Sequence, residues 1–166
     1  MILDGAPIRI SVRRDLRVAG DKIVRKGGTA VHAATFIRRR HMVLDAQLLE
    51  NDGELRRIVV HELFHFIWVR LGNAVRRSFE ELLAGQRPAR GELGWSSEYR
   101  KQELAPVDVR RRSRKWREYC CEAFCDTAAF LYARRKTHDE FTLAQRYRRK
   151  RIAWFGKNLS SQCVRI

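Results

Sequence analysis

The sequence predicts an α+β fold in a single domain covering residues 1–166, and three observations lead to this prediction. Short stretches in the first fifty residues alternate apolar and polar side chains, the pattern of half-buried strands. An apolar helical pattern follows from residue 51 to about residue 71. A second long helical pattern covers about residues 113–135. A chain of this length is sufficient to bury one hydrophobic core.

Residues 1–50 are expected to form a small sheet. Residues 8–12 alternate in polarity, residues 29–37 are rich in β-branched and aromatic side chains, and residues 41–45 form a third apolar stretch. The gaps between these stretches are too short for crossover helices, so the sheet is predicted to be antiparallel.

The helix predicted over residues 51–72 begins with a capping box. Asn51 and Glu54 have the required spacing, and Asp52 adds negative charge at the helix N-terminus. Gly72 provides a stop. Apolar side chains cover nearly every face, which is typical of a helix buried inside a domain. Ionisable residues within such a helix therefore need a specific role.

An insertion at residues 73–112 separates this helix from the next one. Its first part, residues 74–85, favours a short helix. Residues 86–106 contain Pro88, Gly91, Gly94 and Pro106 and are predicted to be an irregular connection. Long connections of this kind are often functional, so the insertion is a candidate lid.

The last part of the chain is predicted to be helical. A helix over residues 113–136 carries the glutamate Glu122, and residues 139–166 form a C-terminal helix with a tail. Thr142 is expected to cap this last helix, which covers about residues 143–155.

The sequence His61-Glu62-Leu63-Phe64-His65 is an H-E-x-x-H pattern in the buried helix. Residues four apart lie on one helical face, so both imidazoles can reach one metal ion. Glu62 points about a quarter turn away, where it can accept a proton from water activated by the metal. Imidazole and carboxylate groups suit zinc. The pattern therefore predicts a zinc site, against the alternative of two histidines satisfied within the core.

The third metal ligand is expected to be a glutamate of the second long helix. No histidine occurs between His65 and His138, and the extended metzincin pattern is missing. Glu122 is the preferred candidate, because Asp126 lies on the same face and can orient a ligating imidazole. Glu80, Glu81 and Glu118 are the alternatives.

These two segments resemble the gluzincins, the thermolysin-like zinc metallopeptidases with an H-E-x-x-H helix and an E-x-x-x-D segment. The resemblance implies a zincin-like fold in which His61, His65 and Glu122 bind zinc. It also implies that Glu62 is the general base and that Asp126 orients a ligand. The separation of His65 from Glu122 exceeds that of the compact family members, which is consistent with the insertion.

The cysteines offer a second type of metal site. Cys121 and Cys125 share a helical face and, with the two imidazoles, could complete a closed structural site. Such a site would leave Glu62 without a task in an apolar helix. Four cysteines are present, three of them within six residues, and free buried thiols are the expected state.

A peptidase also needs a group that stabilises the tetrahedral intermediate. Tyr119, one turn before Glu122, is the candidate, with Tyr132 and His138 as alternatives. Zincins bind the substrate main chain along an edge strand. Residues 29–37 or 41–45 are the candidates for this strand, which would let the arginines between them contact substrate.

The chain is strongly basic, with 35 lysines and arginines against 19 acidic residues. Three clusters stand out, and they are candidate contacts for nucleic acid or another polyanion: 38–40, 110–115 and 148–151. No membrane-spanning run and no secretory signal is visible, so no membrane partner is expected and a cytoplasmic location is predicted.

The sequence therefore favours a zinc metallopeptidase that hydrolyses peptide bonds in a peptide or protein substrate. Two alternatives remain at this point. One is a basic nucleic-acid-associated protein with a zinc site, and the other is a regulatory zinc protein without hydrolytic activity.

Overall fold

The computed structural model describes residues 2–20, 22–159 and 163–166 and has an α+β fold. The described part contains six α-helices: α1 (Asp52–Arg70), α2 (Asn73–Ala84), α3 (Trp95–Gln102), α4 (Pro106–Arg111), α5 (Arg114–Tyr132) and α6 (Gln145–Leu159). Its strands are β1 (Ile2–Asp4), β2 (Arg9–Arg13), β3 (Arg17–Ala19), β4 (Lys22–Val24), β5 (Thr29–Ala30), β6 (Ala33–Phe36), β7 (His41–Asp45) and β8 (Cys163–Arg165).

The main sheet is mixed, so the prediction of an antiparallel sheet is wrong for one of its two pairings. Its order is β2-β7-β6. Strands β6 and β7 pair antiparallel through a tight connection in which Arg40 adopts a left-handed conformation. Strands β2 and β7 pair parallel. The chain between β2 and β7 contains β3 to β6 and is long enough for the crossover that a parallel pair requires. Strands β3 and β4 were not predicted from the sequence patterns.

A second three-stranded sheet, in the order β4-β3-β5, is antiparallel. The predicted strand over residues 29–37 is divided between the two sheets, because β5 belongs to the second sheet and β6 to the first. Strands β1 and β8 form a separate parallel pair that joins the two ends of the described chain.

Helix α1 lies between the main sheet and the other helices. The Asn51 side chain accepts a hydrogen bond from the Glu54 backbone N–H, so the predicted N-terminal cap is confirmed. On the sheet side, Ile58 and Phe66 of α1 pack against Met42 and Leu44 of β7. Burial of these side chains stabilises the packing of α1 against the main sheet.

The opposite side of α1 packs against α5 through aromatic rings. The Phe64 and Phe124 ring centroids are 5.6 Å apart, and those of Trp68 and Phe124 are 5.0 Å apart. Phe155 of α6 stacks on Phe124 at 5.0 Å. The predicted second long helix is confirmed, with Ser113 as its N-terminal cap.

The insertion is more regular than predicted. The short helix expected at residues 74–85 is present as α2, whose Phe79 and Leu83 are fully buried. The prediction of an irregular connection over residues 86–106 is wrong, because this segment contains α3. Helix α3 packs against α5, so interhelical contacts stabilise a segment whose glycines and prolines suggested a loop.

The last helix begins later than predicted, at Gln145. Thr142 does not cap it. Instead the Thr142 hydroxyl accepts a hydrogen bond from the Glu92 backbone N–H and donates to Glu98. The third basic cluster is only partly exposed, because Arg151 is fully buried and forms an ion pair with Glu92.

Three cysteines, Cys120, Cys121 and Cys125, are free thiols, as predicted. The side chain of Cys163 lies outside the described residues. Within the described helices, none combines the length and the apolar composition needed to cross a lipid bilayer.

Candidate metal centre

The H-E-x-x-H motif lies in the middle of α1, where the helix faces α5. The His61 and His65 rings lie one turn apart in an edge-to-face arrangement, with centroids separated by 5.0 Å. Their Nε2 atoms approach to 3.2 Å. A close approach of two ring nitrogens is favourable when a cation, either a proton or a metal ion, lies between them. The local helix geometry therefore directs both imidazoles toward one point.

Asp126 of α5 fixes the orientation of His61. Its Oδ1 atom lies 2.8 Å from His61 Nδ1, and its Oδ2 atom accepts a hydrogen bond from the Ser97 backbone N–H at 3.0 Å. A carboxylate at Nδ1 holds the proton on that nitrogen and leaves Nε2 available to a metal. Asp126 therefore contacts His61 through one carboxylate oxygen and α3 through the other, and its role in orienting a metal ligand stays a prediction.

A thiol stands in the corresponding position beside His65. Cys121 Sγ lies 3.4 Å from His65 Nδ1. Burial alone would lower the pKa of His65, but Cys121 and Glu122 raise it to about 9. A hydrogen bond with Cys125 lowers the pKa of Cys121, and burial opposes this effect by raising it. The neighbouring His65 lowers the pKa of Cys121 again, so that its value is about 6. Cys121 contacts His65 at Nδ1, whereas His61 approaches the same ring at Nε2.

Glu122 completes a triangle with the two imidazoles. Its Oε2 atom is 3.3 Å from His61 Nε2 and 3.9 Å from His65 Nε2. Ligand atoms around a tetrahedral zinc ion lie about 3.3 Å apart when the bonds are about 2.0–2.1 Å long. Burial would raise the pKa of Glu122, but the two histidines lower it, so the carboxylate form is favoured. The three donors fit a zinc ion with little movement.

Cys125 is a competing ligand. His61, His65 and Cys125 each offer one donor atom, and these atoms lie within 4.8 Å of one another. Cys125 is fully buried, and burial raises the pKa of its thiol well above the usual value. The thiol can bind a metal ion only after it loses its proton.

The motif glutamate faces a cavity of about 370 Å³. Glu62 and His61 line this cavity together with Trp95, Ser96 and the segment 29–33. Glu62 is half-buried and makes no hydrogen bond or ion pair with any residue that the structure describes. The side chains of His65 and Glu122 are 19% and 21% exposed, so the triangle is open to solvent.

Tyr119 is not part of this arrangement. Its side chain is fully buried, and its hydroxyl donates to Glu92 Oε1 at 2.7 Å. Burial and the neighbouring Glu92 carboxylate raise the pKa of Tyr119 well above its usual value. Tyr132 stacks on Phe64, and His138 contacts Glu54. The structure therefore brings none of the three predicted candidates for oxyanion stabilisation to the cavity.

The alternative glutamates are also occupied or distant. Glu80 forms an ion pair with Arg112. Glu118 pairs with both Arg100 and Arg114. Glu81 is exposed on α2. Glu122 is the candidate that lies beside both histidines.

Two features of the centre were not anticipated from the sequence. His32, in the short connection between β5 and β6, lines the cavity and is exposed. Gly94 precedes α3, and a Cβ atom at this position would lie 2.2 Å from Asp126 Cγ. Neither could be recognised from local patterns, because both depend on contacts between segments distant in the sequence.

In comparisons with known proteins, no family model matches the chain, and no curated protein or solved structure matches it either. The resemblance to gluzincins therefore stays a prediction from the two short sequence segments.

Gly94→Ala is expected to weaken zinc binding about 10- to 100-fold, because the added Cβ atom displaces Asp126 from His61. Gly53→Ala is the matched control, since a Cβ atom there makes only ordinary contacts at 3.5 Å. Competition with a chromophoric chelator measures both affinities, and circular dichroism checks folding. An unchanged affinity in a folded Gly94→Ala variant would contradict the orienting role of Asp126.

Proposed function

We propose that the protein is a zinc-dependent hydrolase of peptide bonds. The observation that carries this proposal is the convergence of His61, His65 and Glu122 on one point, beside a cavity lined by an unpartnered Glu62. Three protein ligands leave a position for water or substrate, as in catalytic zinc sites. In this assignment Asp126 holds His61 in its ligating tautomer.

Zinc supplies Lewis acidity and makes water acidic enough to attack a carbonyl near neutral pH. The role proposed for Glu62 is to accept a proton from water in the cavity and deliver it to the leaving amine. A carboxylate can accept this proton when its oxygens are not already bound by neighbouring groups. Glu62 meets this condition, because it makes no hydrogen bond or ion pair with a described residue. Its place on α1, next to His61, keeps it beside the metal position.

The main sheet offers a binding edge for an extended peptide. Strand β6 is at the edge of the order β2-β7-β6, whereas β7 is paired on both sides. Residues 29–37 and 41–45 were the two candidates for the substrate-binding strand. Of the two main-sheet strands in these segments, β6 and β7, only β6 has an edge that is not paired with another described strand. Ala33, the first residue of β6, also lines the cavity. Strand addition at β6 would bring a substrate main chain to Glu62.

His32 is the group that we assign to stabilising the oxyanion. Three ionisable side chains other than the predicted site residues line the cavity, and two of them, His32 and Arg57, are basic; the third is Glu140. Arg57 is buried and already bound to Glu54 and Glu140. His32 is exposed, and its side chain has no hydrogen-bond partner among the described residues. It is therefore the one free to donate to a developing negative charge.

A regulatory or structural zinc protein is the second candidate. The observation in its favour is the position of Cys125, which could bind the metal as a fourth ligand and close the site. A closed site would have no position for water, and Glu62 would then have no chemical role.

Glu62→Gln is expected to abolish peptide hydrolysis while zinc content stays unchanged, because the amide cannot accept a proton. The measurement is cleavage of a fluorogenic peptide library, with metal content determined on the same samples. Glu81→Gln is the control, since it makes the same substitution at an exposed position on α2, away from the cavity. If the unmodified protein cleaves no peptide of the library, the hydrolase proposal fails and the regulatory alternative is favoured. Cleavage that persists in Glu62→Gln would contradict the role of Glu62 as general base.

His32→Ala is expected to lower kcat about 10²- to 10³-fold, as removal of an oxyanion donor does. The KM value and the zinc content should change little, because His32 is placed neither in the metal site nor along β6. Thr29→Ala, at the same cavity but without an ionisable group, is the matched control. A rise in KM with unchanged kcat would show that His32 binds substrate and does not stabilise the oxyanion.

A further inference from the structure

A second, larger depression of about 760 Å³ lies on the main sheet. We name it the basic groove. It is bounded by β2 and β7, by β4 of the second sheet and by the turn after β6. Among the described residues, no acidic side chain lines it and five cationic side chains do: Arg9, Arg13, Lys22, Arg38 and Arg39.

The cations of the basic groove have no ionic partner within the part of the chain that the structure describes. All five are exposed, and none forms an ion pair with a described residue. Arg9 donates only to the His41 ring, at 3.2 Å. Like charges held at close range repel one another, and an anionic ligand would relieve this repulsion.

The other two basic clusters are partly used within the fold. Arg112 pairs with Glu80, Arg114 with Glu118, and Arg151 with Glu92. Arg148 donates to backbone carbonyl groups at the start of α6. Arg38 and Arg39, by contrast, project into the basic groove without a partner. The concentration of unpaired charge in one concave surface distinguishes this groove from a generally basic exterior.

The groove also contains aromatic surface. The Phe36 and His41 rings lie side by side with centroids 6.2 Å apart. His41 accepts from Arg9 and contacts the Ser11 hydroxyl at 2.8 Å. Burial and the nearby arginines lower the pKa of His41, which favours the neutral ring. Aromatic rings beside arginines suit stacked bases and phosphates, whereas an acidic peptide would use only the charges.

We propose that the basic groove binds a single strand of nucleic acid, with its phosphates on the arginines and a base against Phe36. The groove lies at the end of β6 opposite to the catalytic cavity, since Phe36 lines the groove and Ala33 lines the cavity. Binding there requires neither zinc nor hydrolysis, so this inference stands or falls independently of the proposed enzymatic function.

The test is fluorescence anisotropy of a labelled oligothymidylate with the full chain, between about 50 and 200 mM salt. Each phosphate contact contributes about −0.7 to the slope of log K against log salt for a single strand. The double variant Arg38→Ser/Arg39→Ser is therefore expected to bind at least about tenfold more weakly and to reduce the slope by about 1.4. Arg149→Ser/Lys150→Ser removes the same charge from exposed positions on α6 and should leave the slope unchanged.

Three results would overturn the proposal. The first is no binding at the lowest salt concentration. The second is an equal loss of affinity in both double variants, which would assign binding to net charge. The third is displacement of the oligonucleotide by an equal charge concentration of polyglutamate or of duplex DNA, which would identify a different anionic ligand.

Discussion

Helices α1 and α5 pack against each other along a row of aromatic rings, and the metal centre depends on this contact. Phe64, one residue before His65, meets Phe124, two residues after Glu122. The same packing that buries these rings therefore sets the distance between the histidines and the glutamate. The core and the site are formed by the same two helices, so a change in one is expected to disturb the other.

The candidate metal site is held in place by groups beyond the three proposed ligands. Asp126 connects His61 to α3 through the Ser97 backbone, and Gly94 provides the space that Asp126 needs. The insertion thus contributes to the centre even though none of its side chains is assigned as a ligand. An orienting shell of this kind is a common requirement of metal sites.

Much of the site could be predicted from local sequence, because helical spacing determines which residues share a face. Asn51 and Ser113 indicate where α1 and α5 begin, and the spacing of Glu122 and Asp126 follows from the helix period. Strand pairing could not be predicted in this way. The parallel partnership of β2 and β7 depends on contacts across a long connection. The burial of Tyr119 against Glu92 is also a contact between distant segments.

The central claim is that one zinc ion is bound by His61, His65 and Glu122, and X-ray absorption spectroscopy of the zinc-loaded protein tests it most directly. The account predicts one zinc per chain, surrounded only by nitrogen and oxygen at about 2.0–2.2 Å, and loss of most of this metal in Glu122→Ala. A sulfur neighbour at about 2.3 Å would instead place Cys125 in the site. That result, or a chain that binds no zinc, would contradict the account.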